Sequence, residues 1–411
     1  MSRSSPTTTP RRRRIGHLAG LAVFLVLVVL WLLYTRDHPA TINRDWVAFD
    51  NAGWRALSGD WASIYRRSAD ERWPYLYPPF AIPLAIPLGL VPYWWSYLLA
   101  VVMTVGGVAW ASRRIGEVTG PQEGRRAVFF TTLLCAPTTL QVIITGQYSW
   151  LYLVSLSGLA AGLHRGDHRT AGRSLALLAV KPNLALLVGP LLLVRRQWKV
   201  VGAAAWAVTA VVLITMPLSM SAWSEFTAAV RGVAERQEQG DAPVNKQVTI
   251  LAFVRTVSGH AGGSPGTWLV WAAVAAVLAA LVVRTWHLAD GETPSLRLVG
   301  LAALGLVALS PRLYFYDALV VGLPAAAWYL QRETYRSRWN RRLQGCCLAA
   351  TVVATFVFFP APGFATVVGP LTGAWLALEA IDLTAAAKAR GSTTDDAAGP
   401  AGEDAPFALA S

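Results

Sequence analysis

With 411 residues, 54% of them hydrophobic and only 14% charged, the chain has too few ionisable side chains to cover a soluble globule, and its apolar residues run in long blocks instead of alternating with polar ones. Its net charge of +13 does not mark a nucleic-acid partner. The basic residues sit in short clusters between apolar blocks, at Arg11 to Arg14, at Arg195 with Arg196 and Lys199, and at Arg336 to Arg342, which is the distribution that the positive-inside rule produces.

In chain order, residues 1–14 are a basic stretch expected to be disordered and cytoplasmic. Ile15 to Tyr34 follows with no acidic or basic side chain except His17, and at ~1.5 Å per residue it covers a ~30 Å hydrocarbon core. A cleavable signal peptide is the rival reading; the run is too long for an h-region and no small-residue cleavage motif follows it. Further apolar blocks lie at 76–91, 93–111, 127–144, 148–163, 173–194, 200–217, 267–286, 296–309, 313–330, 343–359 and 364–383. They predict an all-α polytopic membrane protein with about 10–12 transmembrane helices, in one membrane-embedded domain over 15–383. The tail, 384–411, is expected to be disordered and cytoplasmic. Cys135, Cys346 and Cys347 lie in or beside apolar blocks without metal-ligand spacing and read as packing residues.

The tetra-arginine should stay cytoplasmic and send 35–75 outside, and counting on through the blocks puts 218–266 outside too. Both segments are too polar to span and too long to be turns, and the first mixes Asp45, Trp46, Phe49, Asp50, Trp54 and Tyr65 as interfacial helices do. The same count puts Arg113, Arg114, Arg125, Arg126 and Arg165 to Arg173 outside, against the rule. A re-entrant 76–91, loosened by Pro78, Pro79, Pro83 and Pro87, would reverse that assignment.

Charges within apolar blocks cost several kcal/mol unless paired or facing a polar cavity. Lys181, in Lys181-Pro182-Asn183, interrupts one block fourteen residues before Arg195, so a helix would raise it ~21 Å above that basic cluster. It either meets the phosphate of a lipid-linked substrate or pairs with an acid from another helix. Gly146-Gln147 breaks a second block and offers an amide for sugar hydroxyls, or is a polar turn. Asp45 and Asp50 stand after the first block, where a carboxylate over a membrane cavity could take the proton of an attacking hydroxyl, or could pair with the arginines of the loop. In Ser310-Pro-Arg-Leu-Tyr-Phe-Tyr-Asp317, Arg312 is a second phosphate ligand or a partner of Asp317. No Walker loop, paired metal-binding His motif or Gly-x-Ser-x-Gly elbow is present, which argues against ATP-driven transport and serine hydrolysis.

Taken in order, these pieces resemble glycosyltransferase family 87, of the membrane-embedded glycosyltransferase C superfamily. The matching residues are Asp45-Trp46, Ala52, Ala56-Leu57, Gly59 and Tyr65; Tyr77-Pro78-Pro79; Gly146-Gln147; Ala171-Gly172 to Lys181-Pro182; Asn245-Lys246-Gln247 before Arg255; and Ser310-Pro311. The resemblance implies a glycosyltransferase C-type fold with two extracytoplasmic loops bearing interfacial helices. It also implies transfer from a polyprenyl-phosphate sugar to a cell-envelope glycolipid or polysaccharide on the outer face of the cytoplasmic membrane. Asp45 matches the family's proposed base, and Lys181 a lysine on the donor side; Tyr77, Gln147, Asn245, Arg312 and Asp317 are the remaining substrate-binding candidates. No cofactor is required, and a divalent cation is permitted but not demanded. Mannose is the first expectation for the sugar. Members using polyprenyl-phosphate mannose often carry His-His shortly after the Ser-Pro, where this chain has Tyr316-Asp317, so arabinofuranose is the alternative. A transporter of a lipid-linked precursor is the competing class, although no internal repeat is evident.

Overall fold

The computed structural model describes residues 45–66, 74–120, 123–238, 244–259, 264–357 and 362–397; the expected first span at 15–34, the basic stretch before it and residues 398–411 lie outside them. The described residues form α-helices and short 3-10 turns with no strand, apart from one antiparallel bridge between Gln247 and Tyr314. In order the helices are α1 (Trp46–Leu57), α2 (Ile86–Gly89), α3 (Tyr93–Thr119), α4 (Glu123–Leu134), α5 (Pro137–Thr145), α6 (Ser149–His164), α7 (His168–Leu178) and α8 (Pro182–Val194). They continue with α9 (Trp198–Glu238), α10 (Ile250–Ser258), α11 (Pro265–Leu288), α12 (Ser295–Leu309), α13 (Gly322–Leu330), α14 (Arg338–Val357) and α15 (Val368–Ala397).

Tyr93–Thr119, Trp198–Met216, Pro265–Leu288 and Ala365–Arg390 are each long and apolar enough to cross a membrane, and α4 with α5 makes a fifth such element, bent by 48°. The protein is a multi-pass, all-α membrane protein. Its apolar blocks do not each become one long helix, and proline explains most of the difference. Pro137 starts a new helix inside the 127–144 block. The 173–194 block divides between α7 and α8, because Lys181 precedes a proline and takes an extended backbone (φ −124°, ψ 89°) that ends one helix, while Pro182 opens the next. The proline-rich 76–91 segment forms a 3-10 turn at Pro79–Leu84 and the single turn α2, too short to cross.

Arg165 pairs with Glu117 near the end of α3, and Arg126 of α4 donates to the carbonyl of Gly116 (2.8 Å). Val118, His164, His168, Arg195, Ser295 and Gln331 line one cavity, so the ends of α3, α6 and α8 and the starts of α7 and α12 lie together with these arginines. We call this the basic end. From it α7 rises to Lys181 and α8 returns to Arg195; α12 rises to Ser310 and α13 descends to Gln331.

In the first polar loop, α1 is one-sided: it buries Trp46, Phe49, Ala52 and Ala56 and leaves Trp54 and Leu57 exposed. α1 lies backbone to backbone on the following segment, since a Cβ on Gly53 would stand 2.2 Å from the Ala85 carbonyl oxygen. The second polar segment is not a loop throughout: α9 continues to Glu238 and packs Phe226 against Tyr65, and Arg66 pairs with Glu225 at 3.3 Å. The boundary expected at 384 is also absent, because α15 continues to Ala397 through the alanine-rich run after Leu383, and Arg390 docks on Asp290 at 2.8 Å.

Candidate active site

Opposite the basic end, five separate stretches of chain bring their polar side chains together. Asp45 is the N-cap of α1, yet its side chain makes no cap hydrogen bond. Its Oδ2 instead accepts from Gln147 Nε2 at 2.9 Å. The glycine before Gln147 makes this approach feasible: Gly146 ends α5 in the left-handed region (φ 70°), and a Cβ there would lie 2.6 Å from the Trp46 ring. Tyr77, just after the first polar loop, donates its hydroxyl to Gln147 Oε1 (3.3 Å) and lies 3.2 Å from the Tyr152 hydroxyl.

Tyr152 leads to the cation. Lys181 Nζ sits 5.4 Å from the centre of the Tyr152 ring and 6.0 Å from that of Tyr316, and forms an ion pair with Asp317 Oδ2. Asp317 is buried at 1% exposure of its side chain, whereas that of Lys181 keeps 23%, so Lys181 is the more open member of the pair. Asp317 Oδ1 accepts from Ser149 Oγ (2.8 Å), and Oδ2 also accepts from the Tyr314 backbone N–H (3.3 Å), which fixes the carboxylate at the start of a 3-10 turn. Asp45 and Asp317 are both in electrostatic reach of Tyr77 and Tyr316. A carboxylate and a cation, linked by an amide and two phenols, therefore face one region from α1, α5–α6 and the Lys181 turn. Such a set can accept a proton at one end and hold an anion at the other.

Residues 75–311, more than half of the chain, match the family model of glycosyltransferase family 87. The chain belongs to glycosyltransferase family 87. No curated protein matches it. The family 87 match includes Tyr77, Gln147, Lys181 and Asn245, begins after Asp45 and ends just before Arg312 and Asp317. As a glycosyltransferase the protein has a sugar donor and an acceptor.

The remaining candidates are placed differently. Asp50, five residues after Asp45, accepts from Ser96 Oγ of α3 at 2.6 Å, and that same oxygen accepts from Trp46 Nε1 at 3.0 Å. Burial pushes the Asp50 carboxyl above its ordinary value, partly offset by the Ser96 hydrogen bond. Arg312 does not pair with Asp317, whose ion-pair partner is Lys181; Arg312 is half-buried in a tight turn where Ser310 Oγ donates to its carbonyl (3.0 Å). Asn245 lies in the 3-10 turn Val244–Lys246, with its side chain outside the described residues. The neighbouring Val248 N–H donates to the Leu313 carbonyl (2.9 Å) and ties this turn to the Asp317 segment. Among the described residues no three of His, Cys, Asp and Glu gather as metal ligands.

Sequence reasoning missed Ser149 and Tyr152, which hold Asp317 and meet Tyr77. Both lie in an apolar block, and their signal is the spacing of three residues that puts two polar groups on one helix face.

Proposed function

We propose that this family 87 protein transfers a sugar, with inversion, from a polyprenyl-phosphate donor to a hydroxyl of a cell-envelope glycolipid or polysaccharide. The reading is carried by the meeting of Asp45 and Lys181 at one end of a membrane protein, through Gln147, Tyr77 and Tyr152. Two further features support it. An apolar cavity of about 310 Å³ between α4, α13 and α14 is lined by Phe129, Leu133, Ala318, Val321, Ala325 and Leu348, and Ala318 adjoins Asp317, so a polyprenyl chain entering from the lipid would lead its phosphate toward Lys181. The arginine clusters collect at the other end, which the positive-inside rule assigns to the cytoplasm, so the site faces outward from the cytoplasmic membrane.

Asp45 takes the proton of the acceptor hydroxyl, and the freed oxygen forms a bond to the anomeric carbon. The bond from that carbon to the phosphate oxygen breaks, and polyprenyl phosphate departs with the electron pair, its charge met by Lys181. Mannose is the first candidate for the sugar and arabinofuranose the second. No cofactor enters the scheme.

The test supplies membranes containing the wild type or Asp45→Asn with radiolabelled polyprenyl-phosphate mannose and, in parallel, arabinofuranose. Label should reach an envelope polymer or glycolipid with the wild type and fall by about 10²–10⁴-fold in the variant. Equal transfer by both proteins would remove Asp45 as the base. If neither donor is consumed while labelled lipid crosses the bilayer, the transporter class replaces the enzyme.

A further inference from the structure

The cavity at the basic end is a second polar site, separate from the one described. It measures about 410 Å³, and its lining includes His164, His168, Arg195, Glu292, Ser295 and Gln331. Helices α6, α8 and α12, of 16, 13 and 15 residues, each have one end here and the other at the Lys181 site. At ~1.5 Å per residue the two sites are ~20 Å apart, so the Lys181 machinery cannot reach into this cavity.

Two buried polar atoms in the lining have no partner: the Ser295 hydroxyl and Gln331 Oε1, on residues 7% and 8% exposed. Buried polar groups are nearly always hydrogen-bonded, so these two call for an occupant. The charge balance says which sign. Arg195 uses one N–H on the Asp290 carbonyl (3.0 Å), which holds its guanidinium at the rim. The acids nearby are drawn away by Arg390, which takes both carboxylate oxygens of Asp290 (2.8 and 3.1 Å) and stands 3.8 Å from Glu292. Glu292 also lines the cavity, but its side chain is 80% exposed and lies toward Arg390, so Arg195 is the partly buried charge that faces the cavity, with His164 and His168 beside it, while Gln331 Oε1 asks for a hydrogen-bond donor.

We infer that this cavity binds a polyol phosphate. Its phosphate accepts from Arg195, His168 and the Ser295 hydroxyl, and one of its free hydroxyls donates to Gln331 Oε1. The same chemistry belongs to a phosphoglycerol lipid headgroup and to a soluble glycerol or sugar phosphate.

The full-length protein is placed in nanodiscs of phosphatidylcholine and titrated with glycerol 3-phosphate by calorimetry, and separately in nanodiscs containing phosphatidylglycerol, with retained lipid counted by native mass spectrometry. Saturable binding of glycerol 3-phosphate identifies a soluble ligand; retention of phosphatidylglycerol over phosphatidylcholine, without glycerol 3-phosphate binding, identifies the headgroup. In either arm Arg195→Gln should weaken binding at least tenfold. Ser295→Ala and Gln331→Leu delete atoms that bond nothing else, so a merely structural role leaves binding unchanged, whereas the inference expects a loss of several-fold in each. These two variants carry the test if Arg195→Gln fails to fold. No binding in either arm, or binding that all three variants retain, overturns the inference and leaves the cavity to water.

Discussion

The two ends of α12 hold charge in opposite ways. At the basic end, Arg297 is 1% exposed, and its guanidinium is matched on every side. Nε and Nη2 donate to Glu379 (2.7 and 3.0 Å), Nη2 also to Asp382 (2.9 Å) and Nη1 to the Thr334 carbonyl (2.9 Å), while the Tyr335 ring lies 3.8 Å from its centre. Just beyond the other end, Lys181 has one acid, two aromatic faces and a partly exposed side chain. A saturated ion cluster has no hydrogen-bonding capacity left for a ligand and can only hold helices together, here α12 to α15. An incompletely matched charge beside a cavity is what an anionic substrate requires. On the proposed reading of Lys181 as the donor-phosphate ligand, the difference separates a structural charge from a functional one.

The largest expected effect is at the saturated end. Arg297→Met leaves Glu379 and Asp382 buried without their cation and should cost about 3–5 kcal/mol of stability, read as a large fall in Tm or a loss of folded protein after solubilisation. Lys181→Met should lower Tm by less, because its side chain keeps 23% exposure. The comparison breaks if the two variants destabilise in the reverse order.

A second experiment asks what Lys181 does besides neutralising Asp317. Lys181→Met should reduce transfer by about 10²–10³-fold, the size expected when one donor to a developing anion is lost. The double variant Lys181→Met with Asp317→Asn removes the stranded acid as well, so it should regain the Tm lost in the single variant while transfer stays low. Recovery of transfer together with Tm would reduce Lys181 to the structural partner of Asp317.

The same rule that singled out Lys181 in the sequence applied equally to Arg297, Glu379 and Asp382, which also lie inside apolar blocks. Glu379 and Asp382 even have the three-residue spacing that shares a helix face. What the sequence did not contain is how fully each charge is matched, because that depends on long-range contacts: 82 residues separate Arg297 from Glu379, and 136 separate Lys181 from Asp317. The all-helical membrane class was legible from the apolar blocks; Gln147, Lys181 and Asp317 stood out as polar breaks between or within them, Asp45 as an acid after the first block, and Tyr77 through the resemblance to family 87. Block length could not reveal that 173–194 is two helix arms meeting at Lys181, since both readings share one 3.6-residue period. The counted height of Lys181 above Arg195 survived nonetheless, because α8 alone spans most of that distance.

The smallest effect sharpens the contrast between two acids five residues apart. Asp45 is directed to Gln147 and the site, Asp50 to Ser96 and the packing of α1 on α3. Because burial raises the Asp50 carboxyl, the folded protein binds that proton more tightly than the unfolded chain does. The contribution of Asp50 to stability is thus complete below the ordinary carboxylate range and declines as pH rises through the raised value. Asp50→Asn keeps an oxygen to accept from Ser96 and carries no charge, so its Tm at pH 7 should equal or exceed that of the wild type. The gap should close as pH falls below ~3.9, through the ordinary carboxylate range, where the carboxyl becomes protonated in the unfolded chain as well as in the folded one. Transfer should persist, in contrast to Asp45→Asn. A loss of Tm that grows as pH rises would show that the carboxylate charge itself stabilises α1, and a loss of transfer with Tm intact would move the proton acceptor from Asp45 to Asp50.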